Sequence, residues 1–266
     1  MNNFRLFEFC DKAWAPNWYH KALHKYLIFF YKTFGYHKLW LDDLNEFIRN
    51  DKDNTFLECC SGSGDCLPLL VCELDDDKTK GKKFILTDLF PLEESIKRYK
   101  ASKNFHYYNE PVDASNVPEE LNYSRIFINS FHHLPPDVAK GVLQNSLKQN
   151  KNLLILEYVS QSWVAYFLMM LGPFILFTTL PFVLKGKNLV WTSLFTYIIP
   201  LFPIMLLWDG LVSCNRFYTK KDFENILGDD FKYFQFTESK RRSWLYPAGV
   251  SAITLQTNYS ELSKVA

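Results

Sequence analysis

The stretch from Trp163 to Trp208 constrains this chain more than any other part of its sequence. It holds 46 residues, of which only Lys185 and Lys187 are charged. The segments Trp163–Leu184 and Asn188–Trp208 run for 22 and 21 residues without a charge. Each is long enough to cross the hydrocarbon core of a bilayer, about 30 Å, as an α-helix. We therefore expect a hydrophobic helical hairpin that turns at the two lysines.

Three placements of this hairpin remain open: it spans a membrane, it is re-entrant or interfacial, or it forms a lid or dimer surface of a soluble protein. Trp163, Trp191 and Trp208 lie near helix ends, as anchors at a membrane interface do. The lysines of the turn disfavour a full crossing, because they would have to pass through the membrane. So do four residues that break or kink helices, Pro173, Pro181, Pro200 and Pro203.

Outside this stretch the composition is that of an ordinary folded domain. Hydrophobic residues make up 48% of the chain and charged residues 22%, which supports a packed core and excludes global disorder. Lys and Arg together number 30, and Asp and Glu number 29. The resulting net charge of +1 argues against a dedicated nucleic-acid-binding protein, so no nucleic-acid partner is expected.

The six cysteines are expected to be reduced thiols in a cytosolic domain. The first residues lack the basic segment followed by an apolar run that marks a secretory signal. Four cysteines fall within 14 residues, but no C-x-x-C pair or nearby histidine completes a tetrahedral zinc set. No metal site is therefore expected.

Strands and helices alternate from residue 55 onwards, which predicts an α/β domain with a largely parallel sheet. The expected strands are Thr55–Cys60, Lys83–Thr87, Phe105–Tyr108, Arg125–Asn129, Asn152–Tyr158, Phe231–Thr237 and Ser251–Thr257. Helices are expected at Asp65–Leu74, Leu92–Lys100, Pro136–Gln149, and from a cap at Thr219 to Leu227.

The N-terminal part is predicted to be helical up to a C-cap at Gly35. Lysines and histidines lie mainly off its apolar stripe, so this helix either covers a protein core or rests on a membrane surface. The stripe follows the helical period at Tyr19, Ala22, Leu23, Tyr26, Leu27, Phe30 and Phe34.

The most informative motif lies where the first predicted strand ends. Residues 58–64 read E-C-C-S-G-S-G, with two glycines directly before a predicted helix. Such a turn brings the backbone close to a ligand at a helix N-terminus, and ligands of parallel sheets bind at this carboxyl edge. A dinucleotide-binding G-x-G-x-x-G fingerprint needs a small residue at position 67, which is Leu67, so the motif disfavours NAD.

The turn resembles the acidic-x-G-x-G-x-G motif of the class I S-adenosylmethionine-dependent methyltransferases. Glu58 is the acid, Gly62 and Gly64 match the last two glycines, and Cys60 replaces the first. The resemblance implies S-adenosyl-L-methionine as cofactor, bound by these four residues. It also implies a Rossmann-like, seven-stranded, mostly parallel sheet, with the hydrophobic hairpin inserted after the fifth strand.

Three more polar residues stand where this family places its cofactor contacts. Asp88 ends the second strand, where the resemblance implies an acid that accepts hydrogen bonds from ribose hydroxyls. Asp113 stands where an acid meets the adenine amine, and Asn129 opens the loop after the fourth strand. Together with Leu156-Glu157 and residues 209–218, these motifs resemble a group of bacterial class I methyltransferase-like proteins of unassigned substrate, over residues from about 5 to 257.

This resemblance divides the chain into four predicted segments. Residues 1–52 form an N-terminal helical cap, and residues 53–160 form the cofactor-binding Rossmann-like core. Residues 161–210 form the hydrophobic hairpin, and residues 211–266 add a helix and strands that complete the core.

Methyl transfer from a sulfonium needs mainly positioning, and a general base is required only for a protic acceptor. His132 and His133 follow the fourth strand and are the candidate catalytic residues, although both could simply hydrogen-bond the loop backbone. Glu157 could face the acceptor or cap the next helix. Three residues after the hydrophobic part could line the acceptor pocket or tie the hairpin back through an Asp–Arg pair: Asp209, Arg216 and Tyr218.

The expected function is a methyltransferase at the cytoplasmic face of a membrane that acts on a small lipophilic acceptor. Two alternatives remain open. One is a soluble methyltransferase whose insertion is a lid or dimer interface. The other is a membrane-anchored binding or scaffold protein that kept the fold and lost catalysis, which the cysteine at position 60 keeps in consideration.

Overall fold

The computed structural model of the chain describes residues 6–74, 79–183 and 187–258. It contains a seven-stranded sheet in the order β3-β2-β1-β4-β5-β7-β6. The strands β1 to β5 are parallel, and β7 pairs antiparallel with both β5 and β6. Their bounds are β1 (Thr55–Glu58), β2 (Lys83–Leu86), β3 (Phe105–Tyr107), β4 (Ser124–Ile128), β5 (Leu153–Glu157), β6 (Phe234–Arg241) and β7 (Val250–Thr257). The predicted strands and the predicted Rossmann-like sheet are confirmed.

The helices of the described residues alternate with these strands as predicted. Every residue of β4 and β5 is buried, as in a parallel sheet that helices cover on both faces. The bounds are α1 (Asn17–Phe34), α2 (Leu41–Asn50), α3 (Cys66–Val71), α4 (Glu93–Tyr99), α5 (Pro136–Lys148), α6 (Trp163–Val183), α7 (Lys187–Ser193), α8 (Leu201–Arg216) and α9 (Lys220–Leu227).

The chain divides into two compact units. One comprises the described parts of Met1–His37, Val159–Phe217 and Arg242–Gly249, and holds α1, α6, α7 and α8. The other comprises the described parts of Lys38–Tyr158, Tyr218–Arg241 and Val250–Ala266, and holds the whole sheet. We call the first the helical unit and the second the sheet unit. The N-terminal helix thus shares a unit with the hydrophobic insertion.

The core of the helical unit joins α1 to the insertion. Its buried residues are Tyr19, Ala22, Tyr26, Leu176, Leu180, Phe202 and Met205. Trp18 of α1 stacks on Phe195, with ring centroids 4.8 Å apart. The apolar stripe of α1 therefore covers a protein core, which is one of its two predicted roles. Gly35 ends the helix at φ 65°, as predicted.

The second arm of the predicted hairpin is helical, but it is not one continuous helix. After α7 the chain forms a π-helical segment, Leu194–Ile198, and α8 begins at Leu201. The two parts of this arm meet at an angle of 84°. Pro200 lies in the break and has no amide hydrogen for a helical bond, which explains why the helix cannot continue. The predicted turn at Lys185 and Gly186 lies outside the described residues.

The first arm is one continuous helix that passes through Pro173 and Pro181 without a break. This helix, α6, is the one described helix that is long and apolar enough to cross a membrane. The bent second arm passes the same test only if its two parts count together.

Asp209 and Arg216 lie on α8, where they hold the N-terminal segment rather than each other. The Asp209 carboxylate accepts hydrogen bonds from the backbone amides of Phe9 (2.7 Å) and Cys10 (3.0 Å), and from the Tyr19 hydroxyl (2.7 Å). Arg216 forms ion pairs with Glu8 at 3.0 Å and with Asp11 at 2.6 Å. They bind the insertion to the N-terminal segment, and the expected Asp–Arg pair is not formed between these two residues.

Candidate functional site

The turn after β1 has the backbone conformation that a ligand-binding glycine turn requires. Gly62 and Gly64 have φ values of 56° and 71°, in the left-handed region that glycine adopts without steric cost. Cys60 is also left-handed, at φ 57°, which is unfavourable for a residue with a side chain. The conformation explains why the related motif carries a glycine at this position.

Hydrogen bonds to the end of β2 hold this turn in place. The Gly62 amide donates to Asp88 Oδ2 at 2.8 Å, and the amide of Phe90 donates to Asp88 Oδ1 at 2.9 Å. The Ser61 amide donates to the carbonyl of Thr87 at 2.9 Å. Asp88 is therefore fixed directly beside the glycines, at the carboxyl edge of two adjacent parallel strands.

Gly64 is packed so closely that no larger residue fits without movement. A Cβ atom there would lie 3.0 Å from Leu86 Cδ1 and 3.2 Å from the ring of Tyr107. A Cβ at Gly62 would meet no described atom within 4 Å. The turn is thus closed on the side of Gly64 and open at Gly62, where a ligand can approach the backbone.

We expect Gly64→Ala to lower the free energy of unfolding by about 2–4 kcal/mol, because it adds a steric contact to left-handed backbone strain. Gly62→Ala is the matched control, since it carries the same strain without the contact, and should cost about 1–2 kcal/mol. Urea unfolding of both variants measures the difference. Equal losses would contradict the close packing at Gly64.

Glu58 ends β1 with its carboxyl group buried, and only 2% of the residue is exposed. Burial and, to a smaller extent, the charges of nearby Asp88 and Asp65 raise the pKa of Glu58 to about 8. Hydrogen bonds from Ser61 and the Leu67 amide lower this pKa but do not offset the rise. Its Oε2 atom has no hydrogen-bond partner among the described residues. A buried carboxyl oxygen without a donor is costly, so this atom is suited to a donor group on a ligand.

Asp88 and Asp113 both lie near the thiol of Cys60. Burial raises the pKa of this thiol well above its ordinary value, and the charges of Cys59, Asp88 and Asp113 add to that effect. The Asp113 carboxylate accepts hydrogen bonds from the Ser115 amide at 2.8 Å and from its hydroxyl at 2.7 Å. Both predicted acids are thus close enough to the cysteine of the turn to raise the pKa of its thiol.

Asn129 connects the ends of β4 and β5. It is left-handed, at φ 49°, and its amide donates to the Leu156 carbonyl at 2.8 Å. Its side-chain Oδ1 accepts a hydrogen bond from the Tyr158 amide at 2.7 Å. These hydrogen bonds account for an asparagine at position 129, because they join the carboxyl ends of two neighbouring strands. The predicted contact of Asn129 with a cofactor stays a prediction.

The loop after β4 contains a buried histidine–carboxylate pair. His132 Nδ1 lies 2.7 Å from Glu157 Oε2, and the His132 amide donates to Glu157 Oε1 at 3.1 Å. Both side chains are almost completely buried, at 5% and 3% exposure. The ring of His133 lies 4.1 Å from that of His132, measured between centroids. Glu157 therefore orients His132 through two contacts, and in the first turn of α6 the Ala165 amide donates to the Ser162 hydroxyl at 3.2 Å.

Sequence reasoning considered Glu157 and His132 separately and missed their pairing. The signal was available, because His132 follows β4, Glu157 ends β5, and these strands are neighbours in the sheet. Tyr218 lies in the same unit, where its hydroxyl donates to the Leu134 carbonyl at 2.7 Å and so supports the loop that carries the histidines.

No protein-family model matches this sequence, and no curated protein matches it either. Two solved structures match over 90% of this chain and 90% of their own. They are the plantazolicin methyltransferase BpumL, at TM-score 0.55 and 12% identity, and the plantazolicin methyltransferase BamL, at TM-score 0.54 and 10% identity. Both were solved with a triazolic desmethylPZN analog and SAH.

A third match is the CurJ carbon methyltransferase, at TM-score 0.42 and 12% identity over 76% of this chain. This chain spans about half, 48%, of that protein's length. The strand order of the sheet and the structural similarity to the two plantazolicin methyltransferases indicate the same architecture. The chain has the fold of the class I S-adenosylmethionine-dependent methyltransferases.

Proposed function

We propose that this protein is an S-adenosylmethionine-dependent methyltransferase. The observation that carries the proposal is the bond between the Gly62 amide and Asp88, which places an acid beside an open glycine turn. In an α/β sheet, small ligands bind at this edge, where backbone amides and the carboxyl ends of the strands meet. Plantazolicin methyltransferases BpumL and BamL, whose fold this chain shares, were solved with SAH.

The residues present fit this cofactor. The open side of Gly62 leaves room for a ligand next to the backbone. The unpartnered Oε2 of Glu58 would accept a hydrogen bond from the cofactor's ammonium group. Asp88 would accept bonds from ribose hydroxyls and Asp113 from the adenine amine. The bound cofactor supplies a methyl group already activated by its sulfonium, so the protein's task is to align the acceptor.

His132 supports a protic acceptor, such as a hydroxyl or a similar group. Glu157 at 2.7 Å favours the tautomer in which Nδ1 carries the proton, because a carboxylate accepts that hydrogen. The basic lone pair then lies on Nε2, which would take the acceptor's proton as the methyl group is transferred. His132 is the proposed base, and Glu157 is a positioning residue.

The hydrophobic insertion supports a lipophilic acceptor and a place at the cytoplasmic face of a membrane. Large apolar side chains of α6 are strongly exposed, with Trp163 at 80%, Phe174 at 68% and Phe182 at 75%. Exposed apolar surface on this scale is typical of a site that contacts another molecule or a membrane. The chain enters α6 shortly after the carboxyl end of β5, the edge at which methyl transfer would occur.

The direct test is transfer of a labelled methyl group from S-adenosylmethionine into a lipid extract. We expect one or a few labelled products that partition into organic solvent and disappear with His132→Ala. Label that enters only water-soluble compounds would favour the soluble enzyme with a lid.

One observation favours the alternative of an inactive binding protein. The Cys60 side chain lies close to Asp88 and Asp113, the two acids that would hold the adenosine. A scaffold protein would bind the cofactor without transferring its methyl group to any fraction of the extract. Turnover with any acceptor would exclude this alternative.

A further inference from the structure

The outer face of α6 is a continuous apolar surface along the helix. Its exposed large residues are Trp163, Phe167, Met170, Phe174 and Phe177. Steps of four, three, four and three residues keep these side chains on one side of an α-helix. Ala165, Leu176 and Leu180 are buried and fall on the opposite side of the same helix. Among the described residues, the helix therefore has one side packed on protein and one side that is left exposed.

The packed side of α6 is covered by α1, which carries three exposed lysines. Lys21, Lys25 and Lys32 follow the i, i+4, i+11 spacing and share one side of α1, away from its buried stripe. No ion pair of these lysines is found within the described parts of the chain. They must remain in water or among lipid headgroups, because transferring an ammonium group into hydrocarbon is strongly unfavourable.

The position of α1 along α6 conflicts with a membrane-spanning hairpin. Tyr26 of α1 packs in one cluster with Leu176 and Leu180, and its hydroxyl lies 3.5 Å from the Gly172 carbonyl. Were α6 to cross a bilayer from Trp163, Leu176 and Leu180 would lie about 20–26 Å along the helix. Lys25, which neighbours Tyr26 in α1, would then lie at the depth of the hydrocarbon core.

The second arm is also bent too sharply to span a membrane as one helix. Its parts, Leu189–Ile198 and Leu201–Arg216, meet at 84°. At about 1.5 Å per residue, neither part alone reaches the about 30 Å thickness of a hydrocarbon core. The last half of α8 carries Asp209 and Arg216, whose ion pairs and hydrogen bonds to the N-terminal segment keep it polar.

We infer that the insertion lies in the plane of one leaflet of a lipid bilayer, with the outer face of α6 in the acyl region and α1 on the aqueous side. This rests on the membrane association in the proposed function and specifies its topology. A second copy of the chain is a less suitable partner for this face. Protein interfaces carry a polar rim with frequent hydrogen bonds, whereas the apolar face extends over the length of α6 without a charged residue.

Two experiments test this topology on the full-length protein. The first compares a cysteine at Lys187, beyond the first arm, with one at Lys21, both in a Cys72→Ser background that removes the exposed native thiol. Membranes from expressing cells are sealed as inside-out or right-side-out vesicles and treated with a membrane-impermeant maleimide. We expect both cysteines to react in inside-out vesicles and neither in right-side-out ones. Reaction of Lys187→Cys alone in right-side-out vesicles would show a spanning hairpin and overturn the inference.

The second experiment measures binding of purified protein to phosphatidylcholine vesicles. Phe167→Ser with Phe174→Ser should weaken binding roughly a hundredfold, because each Phe loses its transfer into the acyl region. Leu89→Ser with Leu92→Ser, in the sheet unit, is the matched control and should change binding less than threefold. Unchanged vesicle binding of the phenylalanine variant, or a dimer that it converts to a monomer, would overturn the inference.

The same experiments distinguish a failure of the proposed membrane association from a failure of the topology alone. A chain absent from cell membranes and unable to bind vesicles would remove membrane association itself, and the topology with it. A chain that binds membranes but fails the cysteine test refutes the topology alone.

Discussion

Replacing Glu58 by glutamine is expected to raise the free energy of unfolding by about 3 kcal/mol at pH 7. Burial raises the pKa of the Glu58 carboxyl from its model-peptide value of 4.5 to about 8 in the folded protein. At neutral pH the unfolded chain therefore gains free energy from ionising this group, and the folded chain does not. Glutamine keeps the shape and removes the ionisation.

The difference in stability between the wild type and the variant depends on pH. Below the unfolded pKa both states hold the proton, and the wild type and the variant differ least. As the pH rises towards 8, the unfolded state of the wild type loses its proton first, so wild-type stability falls by about 1.4 kcal/mol per pH unit relative to the variant. Urea unfolding between pH 4 and pH 8 measures this difference, with exposed Glu94→Gln as the control.

The same variant should bind S-adenosylmethionine roughly 10- to 100-fold more weakly, because the wild-type carboxyl can release its proton and pair with the ammonium group, whereas glutamine cannot become charged. A variant that is more stable than the wild type but binds S-adenosylmethionine more weakly would show that Glu58 serves ligand binding at a cost in stability. A variant that is no more stable at pH 7 than at pH 5, relative to the wild type, would contradict the buried, protonated carboxyl.

Glu157→Gln is expected to lower the rate of methyl transfer about 10²- to 10⁴-fold while leaving cofactor binding intact. The glutamine oxygen can still accept the His132 amide, but its NH₂ group now faces Nδ1. This arrangement favours the tautomer with the proton on Nε2, which then cannot accept a proton from the substrate.

Rates of formation of the labelled lipid product test this prediction. The loss should lie in kcat rather than KM. Glu94→Gln again serves as the control. Full turnover by Glu157→Gln would mean that the acceptor needs no base and that His132 only supports the loop.

Local sequence signals predicted most of the sheet unit. The central strands β1, β4 and β5 are short, largely apolar runs between turn residues. The helix α9 begins at Thr219 with a capping box in which the Thr219 amide donates to Asp222 at 2.9 Å. The glycine turn was recognisable because only a few spacings of glycine and acidic residues are compatible with a ligand-binding turn after a strand. Such features depend on residues that are close in sequence, so they can be recognised without knowledge of the tertiary structure.

Long-range contacts could not be predicted in this way. His132 and Glu157 are 25 residues apart, and their bond depends on the register of β4 against β5. The partners of Asp209 are about 200 residues away, in a segment with no distinctive pattern. The position of the bend in the second arm could not be predicted either, because the sequence does not show which proline interrupts a helix. Pro200 does so and Pro173 does not, although neither has an amide hydrogen.

The most direct test of the central claim is calorimetry of S-adenosylmethionine binding to the detergent-purified protein. We predict a micromolar dissociation constant and roughly hundredfold weaker binding by Asp88→Asn, which removes the charge and can keep only one of the two contacts with the Gly62 and Phe90 amides. Asp229→Asn, at an exposed position of the same unit, should bind like the wild type. Absence of binding by a wild-type sample shown to be folded by circular dichroism would contradict the methyltransferase proposal.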